Sequence, residues 1–267
     1  MLPTTTLGRT GLTITRLGVG GAYCLTPEGY RAALDCGVNY VDAARAYRDG
    51  KDEEVIGEAL IGRRQNIILG TKTLQRGAQG ARGELEYSLK MLRTDYVDIW
   101  SMHAINSPSE REQIFAPGGA YEAALKAKED GLIRWIGVTG HNWEEVGKCV
   151  ATGLFDTCLC WYNCAMKEPE TLVFPAADQH NTGILIMKAT FTEKLIEYRW
   201  PTIFPWDFYY YVLTNPAVDV VLMGLRNITQ FRDIASALER HIGMSDSKLK
   251  YMEAYGDAAR SAGKLVE

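Results

Sequence analysis

The sequence lacks the long apolar run and the excess positive charge that would indicate a membrane or nucleic acid as partner. None of its uninterrupted apolar stretches approaches the roughly 18 residues that a membrane-spanning helix needs. The formal net charge of -4 argues against binding to nucleic acid or to an anionic membrane surface. The amino terminus has no basic region followed by an apolar one. We therefore expect no secretory signal and a cytoplasmic location.

The six cysteines form no common metal-binding pattern. Cys158, Cys160 and Cys164 are closely spaced, but C-x-C-x3-C fits no common zinc or iron-sulfur motif and no second cluster completes a ligand set. Two of the three alternate along a predicted strand, as core residues do. We expect reduced thiols, no metal and no iron-sulfur cluster.

A complete G-x-G-x-x-G fingerprint is also absent after the first predicted strand, where Gly18, Gly20 and Gly21 supply only a fragment. This absence argues against an open doubly wound sheet. Hydrophobic residues at 46% and charged residues at 23% are ordinary for a globular protein. The 267 residues suit one large unit, and we expect a single barrel domain over 1–267.

The sequence does contain a regular alternation of short apolar strands with helices. Eight strands with helical partners predict a parallel sheet, and the count, the chain length and the polar strand ends favour the α/β class with a (β/α)8 TIM barrel. Thr26 and Pro27 predict the start of the first helix, and Asn142 with Glu145 predicts a capping box for a later one. The predicted strands are 17–22, 40–43, 67–71, 97–101, 135–138, 157–162, 184–187 and 218–223.

Three segments depart from this alternation. Residues 7–14 predict an N-terminal β-hairpin that could cap the bottom of the barrel, because Gly8 and Gly11 flank a tight reversal. Residues 190–206 form a long aromatic insert with two prolines, for which a lid over the barrel mouth and packing against the seventh helix both stay open. Residues 245–265 have helical composition and predict an extra C-terminal helix.

Four polar residues follow or end the second, third and fourth predicted strands: Asp42, Tyr47, Lys72 and His103. Each alone could be a solvated strand end, but a barrel brings all the carboxyl ends of its strands to one face. An unperturbed tyrosine has a pKa near ~10. A nearby lysine ammonium would lower this pKa, and an aspartate would keep the ammonium charged and oriented. Histidine can orient a substrate oxygen. Together the four side chains suit reversible proton transfer to a carbonyl oxygen.

At these residues the chain resembles the aldo-keto reductase superfamily. Its F-D-T-A-x-x-Y motif corresponds here to VDAARAY at 41–47, its strand-end lysine to GTK at 70–72, and its strand-four histidine to MH at 102–103. The resemblance implies a (β/α)8 barrel that reduces an aldehyde or ketone with NAD(P)H, or oxidises the alcohol. Tyr47 would be the proton donor in reduction, Asp42 and Lys72 would tune it, and His103 would position the carbonyl.

The resemblance also implies a cofactor site, with two departures from the family pattern. Members commonly hold the nicotinamide amide with a serine and an asparagine after strand five and a glutamine on strand six. Here Thr139 can replace the serine, whereas Gly140 and Leu159 cannot make the other bonds. The expected cofactor-binding residues are Gly21, Ala22, Asp42, Thr139, Asn163, Met187, Lys188, Gly224, Arg226, Gln230 and Asp233.

The Met187-Lys188 pair resembles one bacterial and archaeal branch of the family, many of whose members carry a cysteine-rich ferredoxin-like extension. We expect no such extension here and, for that reason also, no iron-sulfur cluster. The family's basic positions in the adenosine-phosphate segment are Gly224 and Gln230 in this chain. Arg226 or Arg232 is left as the candidate for a 2'-phosphate, so NADP(H) is favoured over NAD(H). A solvated loop charge is the alternative for Arg226.

The substrate pocket is expected to be built from Tyr23, Trp100, His141, Trp161 and the aromatic insert. These residues would suit a flat or apolar carbonyl compound or a sugar ring. Ordinary packing at the barrel top is the alternative for these aromatics. Two other functions also stay open, since the fold alone does not choose among them. One is a cofactor-binding or regulatory barrel with little turnover, and the other is a lyase or dehydratase. Small-molecule partners are expected, and homo-oligomerisation stays open.

Overall fold

The protein folds as a closed barrel of eight parallel strands preceded by a two-stranded antiparallel hairpin, which confirms the predicted class. The computed structural model describes residues 1–198, 200–263 and 265; Arg199 of the insert and Lys264 of the predicted tail helix lie outside them. The hairpin strands are β1 (Thr4–Thr6) and β2 (Thr13–Thr15). The barrel strands β3 to β10 are Leu17–Gly20, Tyr40–Asp42, Ile68–Thr73, Val97–Met102, Ile133–Gly140, Thr157–Trp161, Gly183–Met187 and Val220–Gly224. β10 closes the barrel by pairing in parallel with β3.

Helices surround the barrel, and in the described residues none is long and apolar enough to cross a membrane. Helices α1 to α6 are Pro27–Leu34, Lys51–Ala59, Ala78–Met91, Pro108–Phe115, Ala120–Glu129 and Trp143–Ala151. Helices α7 to α12 are Pro169–Leu172, Phe174–His180, Lys194–Glu197, Pro205–Thr214, Ile228–Arg240 and Asp246–Ser261. The extra C-terminal helix, α12, is therefore present as predicted.

The predicted helix starts form for the expected local reasons. The Thr26 hydroxyl accepts a hydrogen bond from the Gly29 amide at 3.2 Å, and Pro27 fills the first helical position of α1. Asn142 accepts hydrogen bonds from the first-turn amides of α6. Glu145 does not close the predicted capping box, because its carboxylate pairs with Arg111 at 2.9 Å and with Lys148 at 2.6 Å.

The core has two layers, one inside the barrel and one between the barrel and the helices. Alternation along a strand decides which layer a side chain joins. On β6, Ile99 belongs to the inner layer, whereas the neighbouring Trp100 is 1% exposed within the outer layer. Trp100 therefore points away from the barrel interior.

The hairpin closes the bottom of the barrel. Leu7 and Ile14 are fully buried in the inner layer, where they pack with strand residues such as Leu185. The Arg9 guanidinium ties the hairpin to the barrel by pairing with Asp156 at 2.9 Å. The predicted bottom cap thus exists, and its apolar residues fill the space below the strands.

The aromatic insert divides its side chains between packing and cavity lining. The Trp200 ring lies 5.4 Å from the ring of Tyr255 on α12, and the Tyr198 ring lies 5.5 Å from it. Thr190, Glu193 and Trp206 instead line a cavity at the barrel mouth. One part of the insert therefore borders the barrel mouth, whereas the ring packing of Tyr198 and Trp200 is against α12 and not against the predicted seventh helix.

Truncating Leu7, which fills the bottom of the barrel, should destabilise the fold. Leu7→Ala removes a fully buried side chain from the inner layer, so the free energy of unfolding should fall by about 2–5 kcal/mol. Leu25→Ala is the control, because Leu25 is 65% exposed and its truncation should change stability by less than about 0.5 kcal/mol. Urea unfolding followed by circular dichroism measures both. Equal losses of unfolding free energy in the two variants would contradict a structural role for Leu7 at the bottom of the barrel.

Candidate active site

Three neighbouring strands bring the four predicted catalytic side chains to the carboxyl end of the barrel. Asp42 is the last residue of β4, Lys72 lies near the end of β5, and His103 follows β6 directly. Tyr47 stands at the start of a short 3-10 turn, Tyr47–Gly50, and its amide donates to the Ala44 carbonyl at 3.0 Å. All four line one cavity.

The Lys72 ammonium is the centre of this cluster. It donates to the Asp42 carboxylate at 2.6 Å, to the Ala43 carbonyl at 2.7 Å and to the Tyr47 hydroxyl at 3.2 Å. The second Asp42 oxygen accepts from the Tyr40 hydroxyl at 3.1 Å. Lys72 is only 2% exposed, so its three hydrogen bonds replace the water that a free ammonium would bind.

The environment keeps both the lysine and the tyrosine protonated at neutral pH. Burial alone would lower the pKa of Lys72, but Asp42 and Tyr47 outweigh it and the net pKa is raised. Burial raises the pKa of Tyr47, and Lys72 only partly opposes this. The expected effect of the lysine is therefore present, but desolvation exceeds it. The site holds a charged lysine beside a neutral phenol that can give up a proton.

His103 is held as a neutral imidazole. Burial, with help from Lys72, His141 and Arg76, lowers the pKa of His103 to about 3. Its ring packs edge-on against Tyr47 with 5.7 Å between the ring centroids. Within the described residues its Nδ1 atom is buried and has no hydrogen-bond partner. A neutral imidazole with an unused nitrogen at a cavity wall can orient a polar group without adding charge.

Two adjoining cavities occupy the barrel mouth. The inner cavity, of about 260 Å³, contains the four catalytic candidates, and the outer cavity, of about 140 Å³, lies beside β10 and α11. Both are lined by Tyr23, Lys188, Leu222 and Gly224, so the two spaces share a wall. A Cβ atom at position 224 would lie 2.5 Å from the Tyr23 ring, so only glycine lets that ring sit against the strand end.

Most of the predicted cofactor-binding residues line these cavities. The inner cavity has Gly21, Ala22, Asp42, Thr139, Met187, Lys188 and Gly224, and the outer cavity has Arg226, Gln230 and Asp233 in addition to the shared residues. Arg232 lines neither of them. Of the two arginines considered for a 2'-phosphate, only Arg226 faces the outer cavity.

Asn163 is not brought to either cavity. It is 1% exposed, its amide nitrogen donates to the Lys188 carbonyl at 2.9 Å, and its amide oxygen accepts from the Ala165 amide at 2.9 Å. Both ends of the side chain serve the turn after β8 and the Lys188 backbone. The structure therefore gives the Asn163 side chain two partners within the protein and no place in the lining of either cavity.

The two departures from the family pattern have steric and packing reasons. A Cβ atom at Gly140 would lie 2.4 Å from the Ile105 carbonyl oxygen, so the backbone leaves no room for an asparagine. Leu159 belongs to the inner core layer and also lines the inner cavity. Thr139 lines the cavity and accepts from the Ala104 amide at 3.1 Å, which leaves its hydroxyl proton to donate.

The predicted substrate residues separate into two groups. Tyr23 and His141 line the inner cavity. Trp161 lies behind His141, with 4.3 Å between their ring centroids, and does not line the cavity itself. Trp100 is buried between the barrel and the helices, so its assignment to the pocket is wrong. Its strand alternation places it one residue out of phase with the inward-facing Ile99.

Sequence reasoning missed two residues at or next to the site, Asp52 and Glu193. Asp52 is fully buried, accepts from the Tyr30 hydroxyl at 2.8 Å and lies so close to the Gly21 backbone that a Cβ there would be 2.4 Å from its carboxylate. Burial raises the pKa of Asp52. Glu193 lines the outer cavity. Both stand among charged or polar neighbours in the sequence, so no local signal predicts their positions.

The described residues contain no group of three or more His, Cys, Asp or Glu side chains that could hold a metal ion. All six cysteines are free thiols, and five of them are buried. Cys158, Cys160 and Cys164 belong to the outer core layer.

Comparison with solved structures shows the fold. An aldo-keto reductase from Bacillus halodurans in its holo form superposes with a TM-score of 0.82 at 22% identity, and the match covers 96% of each chain. A Klebsiella pneumoniae aldo/keto reductase in complex with NADP and acetate superposes with a TM-score of 0.78 at 21% identity, again over 96% of each chain.

Comparison of sequences gives the family. The model of the Aldo/keto reductase family matches residues 26–192, and the chain belongs to that family. Aldo-keto reductase YhdN of Bacillus subtilis is 32% identical over 205 residues, which are 68% of this chain and 60% of that one. The uncharacterized oxidoreductase YqkF of the same organism is 26% identical over 213 residues, 72% of this chain and 67% of that one.

The buried neutral His103 should make the fold sensitive to acid. The unfolded chain takes up a proton on this histidine below its ordinary pKa near 6.5, whereas the folded chain resists protonation until about pH 3. The stability that comes from keeping His103 neutral is therefore present above about pH 6.5 and is lost as the pH falls toward the folded-state pKa. Between about pH 7 and pH 5 the wild type should lose about 1–2 kcal/mol more unfolding free energy than His103→Gln. Parallel urea titrations test this, and identical losses would contradict a buried neutral imidazole.

Proposed function

We propose that the protein reduces an aldehyde or ketone with a nicotinamide cofactor and that Tyr47 is the proton donor. The observation that carries the proposal is the buried contact of Tyr47 with Lys72, at 3.2 Å, while Asp42 holds the same ammonium at 2.6 Å. A phenol beside a fixed ammonium can give a proton to a substrate oxygen, and the phenolate left behind stays next to a positive charge.

The remaining residues of the cluster support this proton transfer. Lys72 stabilises the tyrosinate in the transition state, and Asp42 keeps the ammonium charged and oriented. His103, as a neutral imidazole, donates a hydrogen bond that places the carbonyl oxygen near the Tyr47 hydroxyl. In the oxidative direction, the tyrosinate takes the proton back from the alcohol. When bound, the dinucleotide supplies or accepts the hydride at the carbonyl carbon.

The residues around the cavities fit a dinucleotide. The inner cavity has an apolar floor of Leu159 and Leu222 for a nicotinamide ring, and the Thr139 hydroxyl can donate to its amide oxygen. Lys188 and Arg226 place positive charge toward the outer cavity, where phosphates would bind. We favour NADP(H) over NAD(H), because Arg226 faces that cavity and can contact a 2'-phosphate.

The lining of the inner cavity indicates the substrate class. Tyr23 and His141 border it beside Met187, so a compact carbonyl compound with a flat or apolar body fits better than an extended charged one. One relative is named Methylglyoxal reductase YeaE of Escherichia coli and is 38% identical over 118 residues, or 43% of this chain. Small dicarbonyl compounds are therefore the first substrates to test.

Replacing Tyr47 should separate chemistry from binding. With NADPH and a panel of small carbonyl compounds, Tyr47→Phe should lower kcat/KM by about 10²- to 10⁴-fold, because the proton donor is lost. The NADPH dissociation constant, measured by cofactor fluorescence, should stay within about two-fold, since the ring itself is retained. Tyr87→Phe is the matched control, because Tyr87 is 50% exposed on α3.

Three outcomes distinguish the competing functions. Binding of neither NADPH nor NADH to the wild type would overturn the proposal. Cofactor binding without reduction of any carbonyl would indicate a binding barrel. Undiminished turnover by Tyr47→Phe would assign the proton transfer to another group.

A further inference from the structure

The Arg226 guanidinium has two partners in the outer cavity. Its central carbon lies 4.4 Å from the centroid of the Tyr23 ring, which holds the planar group against an aromatic face. One of its terminal nitrogens lies 3.8 Å from a carboxylate oxygen of Glu193. The cation that faces the proposed phosphate position therefore already has a negative partner, contributed by the insert after β9.

Glu193 reaches this position through an unusual turn. Phe191, Thr192 and Glu193 are three consecutive residues with positive φ angles of 46°, 58° and 71°, and none of them is glycine. Such backbone is unfavourable for residues with a Cβ atom and persists only where surrounding contacts hold it. The Lys188 ammonium donates to the Thr192 hydroxyl at 2.8 Å, and the Glu193 amide donates to the Thr190 hydroxyl at 3.4 Å.

The turn thus places a carboxylate at the wall of a cavity where the proposed cofactor would bring phosphate. A 2'-phosphate and the Glu193 carboxylate are both anions of the kind that pair with a guanidinium, so both can compete for Arg226. The ion pair must be broken or shared when a 2'-phosphate arrives. NADH has a neutral 2'-hydroxyl at that place, so its binding does not require the ion pair between Arg226 and Glu193 to open.

We propose that Glu193 is a specificity-determining residue that competes with the 2'-phosphate of the cofactor for Arg226. The carboxylate weakens NADPH binding and leaves NADH binding nearly unchanged, so it narrows the preference between the two cofactors. The inference rests on the proposed function, because it requires a dinucleotide in the two cavities.

A second acidic residue of the outer cavity provides a matched control. Asp233 lines the same space, but among the described residues no ion pair joins it to Arg226. Asp233→Asn removes one negative charge from the cavity, as Glu193→Gln does, without releasing the arginine from a partner. A general effect of cavity charge would appear in both variants, whereas competition for Arg226 would appear in only one.

The test is a fluorescence titration of the full chain with NADPH and with NADH. Glu193→Gln should tighten NADPH binding by about two- to five-fold, the range expected for a solvent-exposed ion pair, and should leave NADH binding unchanged. The gain should shrink at high salt, because the pair is exposed. Asp233→Asn should change the ratio of the two dissociation constants by less than Glu193→Gln does.

A double-mutant cycle identifies the partner. In an Arg226→Gln background, Glu193→Gln should no longer tighten NADPH binding, since the contested cation is gone. Glu193→Ala guards against an effect of the glutamine itself and should behave like Glu193→Gln. Thermal unfolding of each variant shows whether the substitution has changed the stability of the fold.

The outcomes that overturn the inference differ from those that overturn the function. If the wild type binds both cofactors but Glu193→Gln tightens both equally or neither, the competition is absent. A gain that persists in the Arg226→Gln background would also overturn it. Failure of the wild type to bind either cofactor would instead remove the proposed function, and the inference with it.

Discussion

The site depends on one buried ion pair, Lys72 with Asp42. Both side chains are almost completely removed from water, and the 2.6 Å contact between them joins the neighbouring strands β4 and β5 at their ends. Breaking such a pair from one side leaves an uncompensated buried charge, which typically costs about 3–5 kcal/mol. The pair also fixes the ammonium that touches Tyr47. The same interaction therefore links two strands at the barrel mouth and, in the proposed function, holds the positive charge beside the proton donor.

The sequence was sufficient to predict the fold and the grouping of the four candidate catalytic side chains at one cavity. Parallel strands send their carboxyl ends to one face, so Asp42, Lys72 and His103 could be grouped without knowing any distance. The error at Trp100 shows the limit of this reasoning. A strand pattern that is apolar on both faces does not reveal its phase, and a shift of one residue exchanges inside for outside. Ile99 and Trp100 were therefore indistinguishable by hydrophobicity alone.

Loop residues were harder to predict, because their partners come from distant parts of the chain. Asn163 matches a family motif, yet its amide is occupied by the Lys188 carbonyl on the following strand end. Asp52 belongs to a charged stretch that suggests a solvated helix start, but Tyr30 and the Gly21 backbone enclose it. Glu193 lines the outer cavity as the last of three consecutive left-handed residues of the insert. Each position depends on tertiary contacts that local sequence does not encode.

The packed interior of the barrel has a consequence for how this protein can change through evolution. Leu159 and Leu222 belong both to the inner core and to the cavity floor, which rests on a stack of side chains reaching down to the hairpin residues Leu7 and Ile14. A polar residue at the floor, such as a glutamine in place of Leu159, would leave part of its amide group among apolar neighbours. Substitutions in the loops around the barrel mouth can therefore accumulate more freely than substitutions at the cavity floor, because a change at the floor also changes the stability of the core.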